Sequence, residues 1–234
     1  MMDAALIEAR GLDITFGAIP VLRGVTLAVP AASAALIVGR NGAGKSTLVR
    51  LLAGLSAPTA GEATLFGAPS RTLDSAARRR VSIVTHQSFL YPNLTARENL
   101  EFYAELYRVA DGCAEIPRWL ERVGLRSAAH ARVRTFSRGM EQRLTLARAM
   151  LARPDVLLMD EPFAALDADG VALVADLLRE AVARRCAIVL TAHQPITIDG
   201  LEFDLYEIVR GRLLPMHGAA IGAGAPRAIG GVGR

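Results

Sequence analysis

Gly39-Arg40-Asn41-Gly42-Ala43-Gly44-Lys45-Ser46-Thr47 fits the pattern G-x-x-x-x-G-K-[ST] in full. Such a loop does one kind of chemistry. Its glycines let the backbone curl so that successive N–H groups point inward at phosphate oxygens. The start of the following helix adds partial positive charge at the same spot. Lys45 is placed to reach the β- and γ-phosphates of a nucleoside triphosphate, and the Ser46 hydroxyl to meet a magnesium ion. Lys45 is also the only lysine of the chain, whose other 26 basic side chains are arginine. A compact ammonium suits a crowded phosphate loop better than a planar guanidinium fork.

A second group lies far downstream. Asp160-Glu161-Pro162 follows the apolar run Val156–Met159. An aspartate at the end of such a strand can hold magnesium through water opposite Ser46. Glu161, just past the strand, is placed to act as general base for an attacking water. His193 lies just past the strand-like stretch Cys186–Thr191 and is placed to hydrogen-bond the γ-phosphate, although a histidine alone is more often structural. Phe16 precedes the loop in a strand-like stretch. It either stacks on an adenine ring or faces the core, and spacing does not decide between them.

The elements that must carry these residues follow from periodicity. Ala35–Val38 reads as a buried strand before the glycine loop, and Leu48, Leu51 and Leu52 as one side of the helix after it. Leu6–Ala9, Asp13–Phe16 and Val21–Val29, punctuated by Gly11, Gly17, Pro20 and Gly24, read as short antiparallel hairpins. Glu62–Phe66 and Val81–Val84 read as further strands, with a short helix over 72–80. From residue 93 the pattern turns helical. Thr95-Ala96-Arg97-Glu98 is a capping box. Pro117 suggests the first turn of a second helix, which Gly124 ends. A third carries Met140, Leu144, Ala147 and Leu151. Val156–Met159 and Cys186–Thr191 read as buried parallel strands. The functional groups thus fall at the carboxyl ends of parallel strands, where an open α/β sheet binds its ligand. The expected fold class is α/β, a P-loop NTPase with a RecA-like core, an antiparallel β subdomain and an inserted α-helical subdomain. The expected boundaries are one domain over 1–217, with the helical part at 93–152, and a flexible glycine- and alanine-rich tail at 218–234.

Composition narrows the setting. The longest uncharged run, Gly24 to Gly39, has 16 residues and three interruptions, short of the ~20 a spanning helix needs. Met1 to Arg10 lacks a basic-then-apolar leader pattern, and two cysteines without metal spacing suggest neither disulfides nor export. A cytoplasmic protein is expected. The net charge of +4 is a weak pointer to nucleic acid or an anionic membrane, and no nucleic-acid partner is expected. Arg78-Arg79-Arg80 reads as a solvated helix end.

Over residues 5–215 the sequence resembles the nucleotide-binding subunit of an ATP-binding cassette (ABC) transporter. The resemblance is carried, in order, by the Walker A loop GRNGAGKST, a Q-loop at Gln87, the signature segment Phe136-Ser137-Arg138-Gly139-Met140, Walker B at Val156–Asp160, Glu161, a D-loop ending at Asp167, and the switch histidine His193. It implies ATP and Mg2+ as ligands, with Gln87 near the metal or the water. It implies a head-to-tail homodimer in which Ser137, Arg138, Gly139 and Met140 meet the ATP held by the partner's loop. It also implies integral membrane subunits gripped by the helical part, at the inner face of the membrane. The signature departs from the usual LSGGQ at Phe136, Arg138 and Met140, and the D-loop has Ala164 where serine is usual. Neither departure removes a member of the catalytic set, so activity is expected. The stretch His86–Tyr103 with FSRGM is similar to the heme-exporter ATPases of cytochrome c maturation (the CcmA type). Multidrug- or lipid-type exporter ATPases share much of it. A soluble ABC ATPase of DNA repair or translation fits less well, because the chain has no second P-loop and no sustained heptads. A nucleotide-binding regulator without turnover is disfavoured by Glu161.

Overall fold

The computed structural model describes residues 5–164 and 166–216; the expected tail at 218–234 lies outside them. The chain opens with strands β1 (Ala5–Phe16) and β2 (Ile19–Pro30), then β3 (Ala34–Val38) and helix α1 (Lys45–Leu52). β4 (Ala60–Leu65), β5 (Ala68–Pro69), α2 (Ser75–Arg79) and β6 (Val81–Val84) follow. Three helices come next: α3 (Ala96–Tyr107), α4 (Gly112–Arg122) and α5 (Arg138–Leu151). The chain then returns through β7 (Val156–Asp160), α6 (Ala168–Ala183), β8 (Ala187–Ala192), β9 (Asp204–Val209) and β10 (Arg212–Pro215).

The strands form two sheets. One has the order β2-β1-β4-β5, and the other β10-β9-β3-β8-β7-β6. In the second, β9, β3, β8, β7 and β6 are mutually parallel and β10 turns back antiparallel on β9. Every residue of β3, β7 and β8 is buried. That explains their unbroken apolar runs, since both faces of a central parallel strand are covered. α1 fills the space between the sheets. Its Leu48, Val49, Leu51 and Leu52 join one core with Ile7, Leu12, Leu22 and Val25 of the antiparallel sheet and Ile37, Leu158 and Val189 of the parallel one. Each such side chain contributes roughly 1.5–3 kcal/mol on burial. α5 and α6 cover the opposite face through Leu146, Met150, Val174 and Leu178.

The hairpins expected within residues 6–29 are one long two-stranded ribbon. Its buried residues run Ile7, Ala9, Leu12, Ile14 on β1 and Leu22, Val25, Leu27, Val29 on β2. The alternation slips by one residue at Gly11 and at Gly24, both in the left-handed region (φ +58° and +59°), where the register shifts. These glycines make bulges rather than turns, and each bulge returns the apolar residues to the core face. Pro20 is tolerated because β2 is an edge strand.

The helix expected over 72–80 is shorter, with a 3-10 turn at Ser70–Thr72 and an α-helix only over Ser75–Arg79, capped by Asp74. The second helix of the insert starts at Gly112, so Pro117 lies inside it and not in its first turn. Pro117 leaves the Cys113 carbonyl without its i+4 donor, and Cys113 is exposed to water. The Thr95 capping box forms in both directions: Thr95 Oγ1 accepts from the Glu98 N–H at 3.1 Å, and Glu98 Oε2 from the Thr95 N–H at 2.7 Å. α5 is seated on β6 at its C-terminal end. Ser82 Oγ donates to the Ala149 carbonyl at 2.7 Å, and the buried Arg148 guanidinium donates to the Ile83 carbonyl at 2.5 Å.

Candidate functional site

β3 runs straight into the glycine loop, and α1 begins at Lys45. Gly44 supplies the turn between them. Its φ is +106°, and a Cβ there would stand 2.8 Å from Leu22 Cδ2 and 3.2 Å from Val21 Cγ1, so a side chain would be both strained and crowded. No side chain caps the N-terminus of α1. Its first N–H groups, which have no intrahelical partner, are therefore open to an anion. The Lys45 side chain is 4 % exposed. Its ammonium curls back on the loop and donates to the Gly39 carbonyl at 2.7 Å and the Arg40 carbonyl at 3.3 Å.

Residues more than 110 positions away in the sequence converge on that ammonium. Glu161 Oε1 lies 3.3 Å from Lys45 Nζ, and Glu161 Oε2 lies 2.9 Å from His193 Nε2. Glu161 reaches them by a backbone kink. Its φ is +51°, which costs a residue with a Cβ roughly 1–2 kcal/mol. One contact at that kink is the Glu161 N–H donating to Thr191 Oγ1 at 3.0 Å. The Thr191 hydroxyl donates in turn to Asp160 Oδ1 at 2.7 Å, and Asp160 is 7 % exposed.

A cavity of about 560 Å³ opens over the loop. Asn41, Gly42, Gly44, Lys45, Ser46 and Thr47 form its floor, Glu161 and His193 one side, and Phe16 and Val21 another. Phe16 is 57 % exposed at its edge, so it does not face the core. Asp160, next to Glu161, is not among the residues that line the cavity. Gln87 does not line it; its side chain is exposed and its backbone is clasped by Thr85 Oγ1, which accepts from the Gln87 N–H at 3.2 Å and donates to its carbonyl at 3.0 Å. The segment after Gln87 is fixed by the fully buried Asn99, which accepts from the Tyr91 N–H at 2.7 Å and donates to the Tyr91 carbonyl at 3.1 Å.

The 136–140 segment also lies outside this cavity. Ser137 is the N-cap of α5, with its hydroxyl accepting from the Met140 N–H at 3.2 Å. Ser137 and Arg138 are exposed, and among the described residues Arg138 makes no ion pair or hydrogen bond. Asp167 caps α6 and ties it to α5. It accepts from the Gly170 N–H at 2.9 Å and pairs with Arg143 at 2.6 Å. The Gly170 N–H, then the Arg143 guanidinium, holds its carboxyl below the ordinary aspartate range. Sequence reading missed Thr191, Thr85 and Asn99, because hydroxyls and amides that act across strands leave no local spacing to find.

The donor set fits a nucleoside triphosphate with magnesium. A buried ammonium, an uncapped helix start and a glycine cradle suit a polyphosphate. Among the described residues no cluster of three or more His, Cys, Asp or Glu is arranged to hold a metal. Mg2+ takes most of its oxygens from phosphate and water and only one or two from protein. Ser46 and Asp160 are the residues that would supply them. Bound there, the ion would neutralise negative charge on the phosphates.

A family model described as ABC transporter matches residues 22–164. The chain belongs to the ABC transporter ATP-binding family. Its relatives include the Nod factor export ATP-binding protein I of Paraburkholderia xenovorans (strain LB400), 38 % identical over 97 % of this chain and 73 % of that protein. The protein of the same name from Rhizobium meliloti (strain 1021) is 37 % identical, over 80 % of this chain and 56 % of the relative. Among solved structures, an ATP-binding subunit of an ABC transporter superposes with a TM-score of 0.81 at 27 % identity, covering 89 % of this chain and 88 % of that one. The cassette MJ0796, solved as a dimer in a post-hydrolysis state bound to ADP and Pi, gives 0.78 at 25 % identity, covering 88 % and 96 %. This cassette is an ATP hydrolase coupled to transport, and its ligands are ATP and Mg2+. Among the described residues no helix is long and apolar enough to cross a membrane.

Proposed function

We propose that this cassette is the ATP-hydrolysing subunit of a membrane exporter and works as a head-to-tail homodimer on the inner face of the cell membrane. The observation that carries the hydrolytic reading is the meeting of Lys45, Glu161 and His193 over the phosphate loop. In this reading Lys45 and the loop N–H groups hold the β- and γ-phosphates, Glu161 takes a proton from the attacking water, and His193 steadies Glu161 and the γ-phosphate. Phe16 stacks on the base. Gln87 approaches the metal or water when the site closes. Ser137 and the Gly139 N–H, with Arg138 and Met140 beside them, complete the site of a second copy. The exposure of Ser137 and Arg138 at the start of α5, away from their own chain's cavity, supports that assignment. Asp167 then lies where the two cassettes meet. The ATPase domain is read as 1–217, with 93–152 as the helical part that grips integral membrane subunits.

The relatives' names favour export of a cargo other than heme. The heme-export reading has no support among them, and a multidrug- or lipid-type exporter is the compatible alternative. The test is magnesium-dependent ATP hydrolysis by the chain reconstituted with its membrane partner in vesicles. Hydrolysis stimulated by the partner is expected; none with either Mg2+ or the partner present would end the exporter reading.

A further inference from the structure

Thr191 is fully buried near the end of β8, and the parallel register sets it opposite Asp160 of β7. A hydroxyl has one proton to give. Thr191 gives its proton to Asp160 Oδ1 and receives the N–H of the next residue, Glu161. One side chain therefore touches both consecutive acids, each by a different group. The first bond fixes the rotation of the Asp160 carboxylate and commits one of its oxygens. The second holds the peptide whose positive φ turns the Glu161 carboxylate toward Lys45 and His193. Without it, the Glu161 N–H at this strand end would lose that partner, and the kink would lose a hydrogen bond that opposes its strain.

We propose that Thr191 is a positioning residue for ATP hydrolysis, setting the Asp160 carboxylate and the Glu161 backbone together through its single hydroxyl. This rests on the reading of Asp160 as the metal-side acid and Glu161 as the water-side base. Binding of the nucleotide by the loop does not pass through Thr191, so its loss acts on the chemical step more than on ATP affinity.

Thr191→Val keeps the shape and removes the hydroxyl, whereas Thr191→Ser keeps the hydroxyl. Supporting groups of this kind typically change activity by about 10- to 100-fold. Thr191→Val is therefore expected to lower kcat by at least about tenfold while KM for ATP moves less than about threefold, with Thr191→Ser close to the parent. In nucleotide-free protein, NMR amide exchange at Glu161 should quicken by about tenfold or more in Thr191→Val and hold in Thr191→Ser. Thr191→Ala serves if valine disturbs the fold, with the same split expected. Glu161→Gln is the control for the underlying reading. If it hydrolyses ATP normally, the role given to Glu161 fails, and this proposal with it. If it is inactive while Thr191→Val turns over like the parent, only the Thr191 proposal falls. The proposal is also overturned if Thr191→Ser is as impaired as Thr191→Val, or if Glu161 exchange is unchanged in Thr191→Val.

Discussion

Replacing Phe16 by alanine separates the two readings that spacing left open. Phe16 ends β1, pairs with Ile19 across the ribbon turn and is 57 % exposed at the cavity edge. Water already sees most of the ring, so truncation should shift folding stability by no more than about 0.5 kcal/mol. Base–aromatic stacking is worth roughly 1–3 kcal/mol by alanine substitution. Only one face of a rim ring can be used, so the lower part of that range applies, about 1–2 kcal/mol. Since about 1.4 kcal/mol is tenfold, that is about 5- to 30-fold weaker binding. Titration with a fluorescent ATP analogue, run beside a urea melt, gives both quantities. Every base has a π face, so GTP should weaken by a similar factor, and Phe16→Tyr should bind like the parent. Nucleotide affinity within about twofold of the parent in a fully folded Phe16→Ala would refute the stacking argument. A fall in urea midpoint matching the loss of affinity would show instead that the ring supports the ribbon.

Three further outcomes are expected. Glu161→Gln should bind ATP but lose about 10²- to 10⁴-fold in turnover, and with Mg-ATP it should run as a dimer on size exclusion; a monomer that binds ATP tightly would count against the sandwich. Gly44→Ala combines a φ of +106° with a Cβ 2.8 Å from Leu22, so calorimetry should find it less stable by at least about 1 kcal/mol, and nucleotide titration should find little binding. The Arg122 fork on Glu180 joins α4 to α6 and holds that carboxyl below its ordinary 4.5. A depressed carboxylate stabilises the fold above its unfolded pKa and loses that contribution as pH falls through the folded value. The stability gap between the parent and Glu180→Gln should therefore be full near neutrality and close progressively below about pH 4.5; a gap that widens in acid would contradict the pairing.

What was legible in the sequence was local or strictly periodic. The Gly39–Thr47 loop, the Thr95 capping box and the apolar runs of β3, β7 and β8 declare themselves within a few residues, and placing Asp160, Glu161 and His193 at strand ends followed from them. Gly11 and Gly24 were misleading, since a glycine in a bulge and a glycine in a turn share the same backbone freedom and differ only in what the partner strand does. Pro117 misled for a related reason: the first turn of α4 is closed by Asp111 and Val109, whose carbonyls accept from Glu115 and Gly112, so no proline was needed to begin it. Thr191 and Arg148 were invisible because their partners lie on or just past strands distant in the sequence. Thr191 reads as one more member of an apolar strand, and Arg148 as a charge on a helix whose buried side is set by β6.

α5 has a mechanical property of its own. One end is anchored to the sheet through Ala149 and Arg148, and the other presents Ser137 to solvent. Its 14 residues make a rod about 21 Å long at 1.5 Å per residue. Such a rod multiplies angle into distance: a tilt of about 10° about the β6 end would carry the Ser137 end by about 4 Å, against the contacts that Glu141 makes with Ser88 and Arg143 with Asp167. A displacement of that size exceeds the length of a hydrogen bond. A small adjustment at β6 is thus enough to make or break the phosphate contact proposed for Ser137.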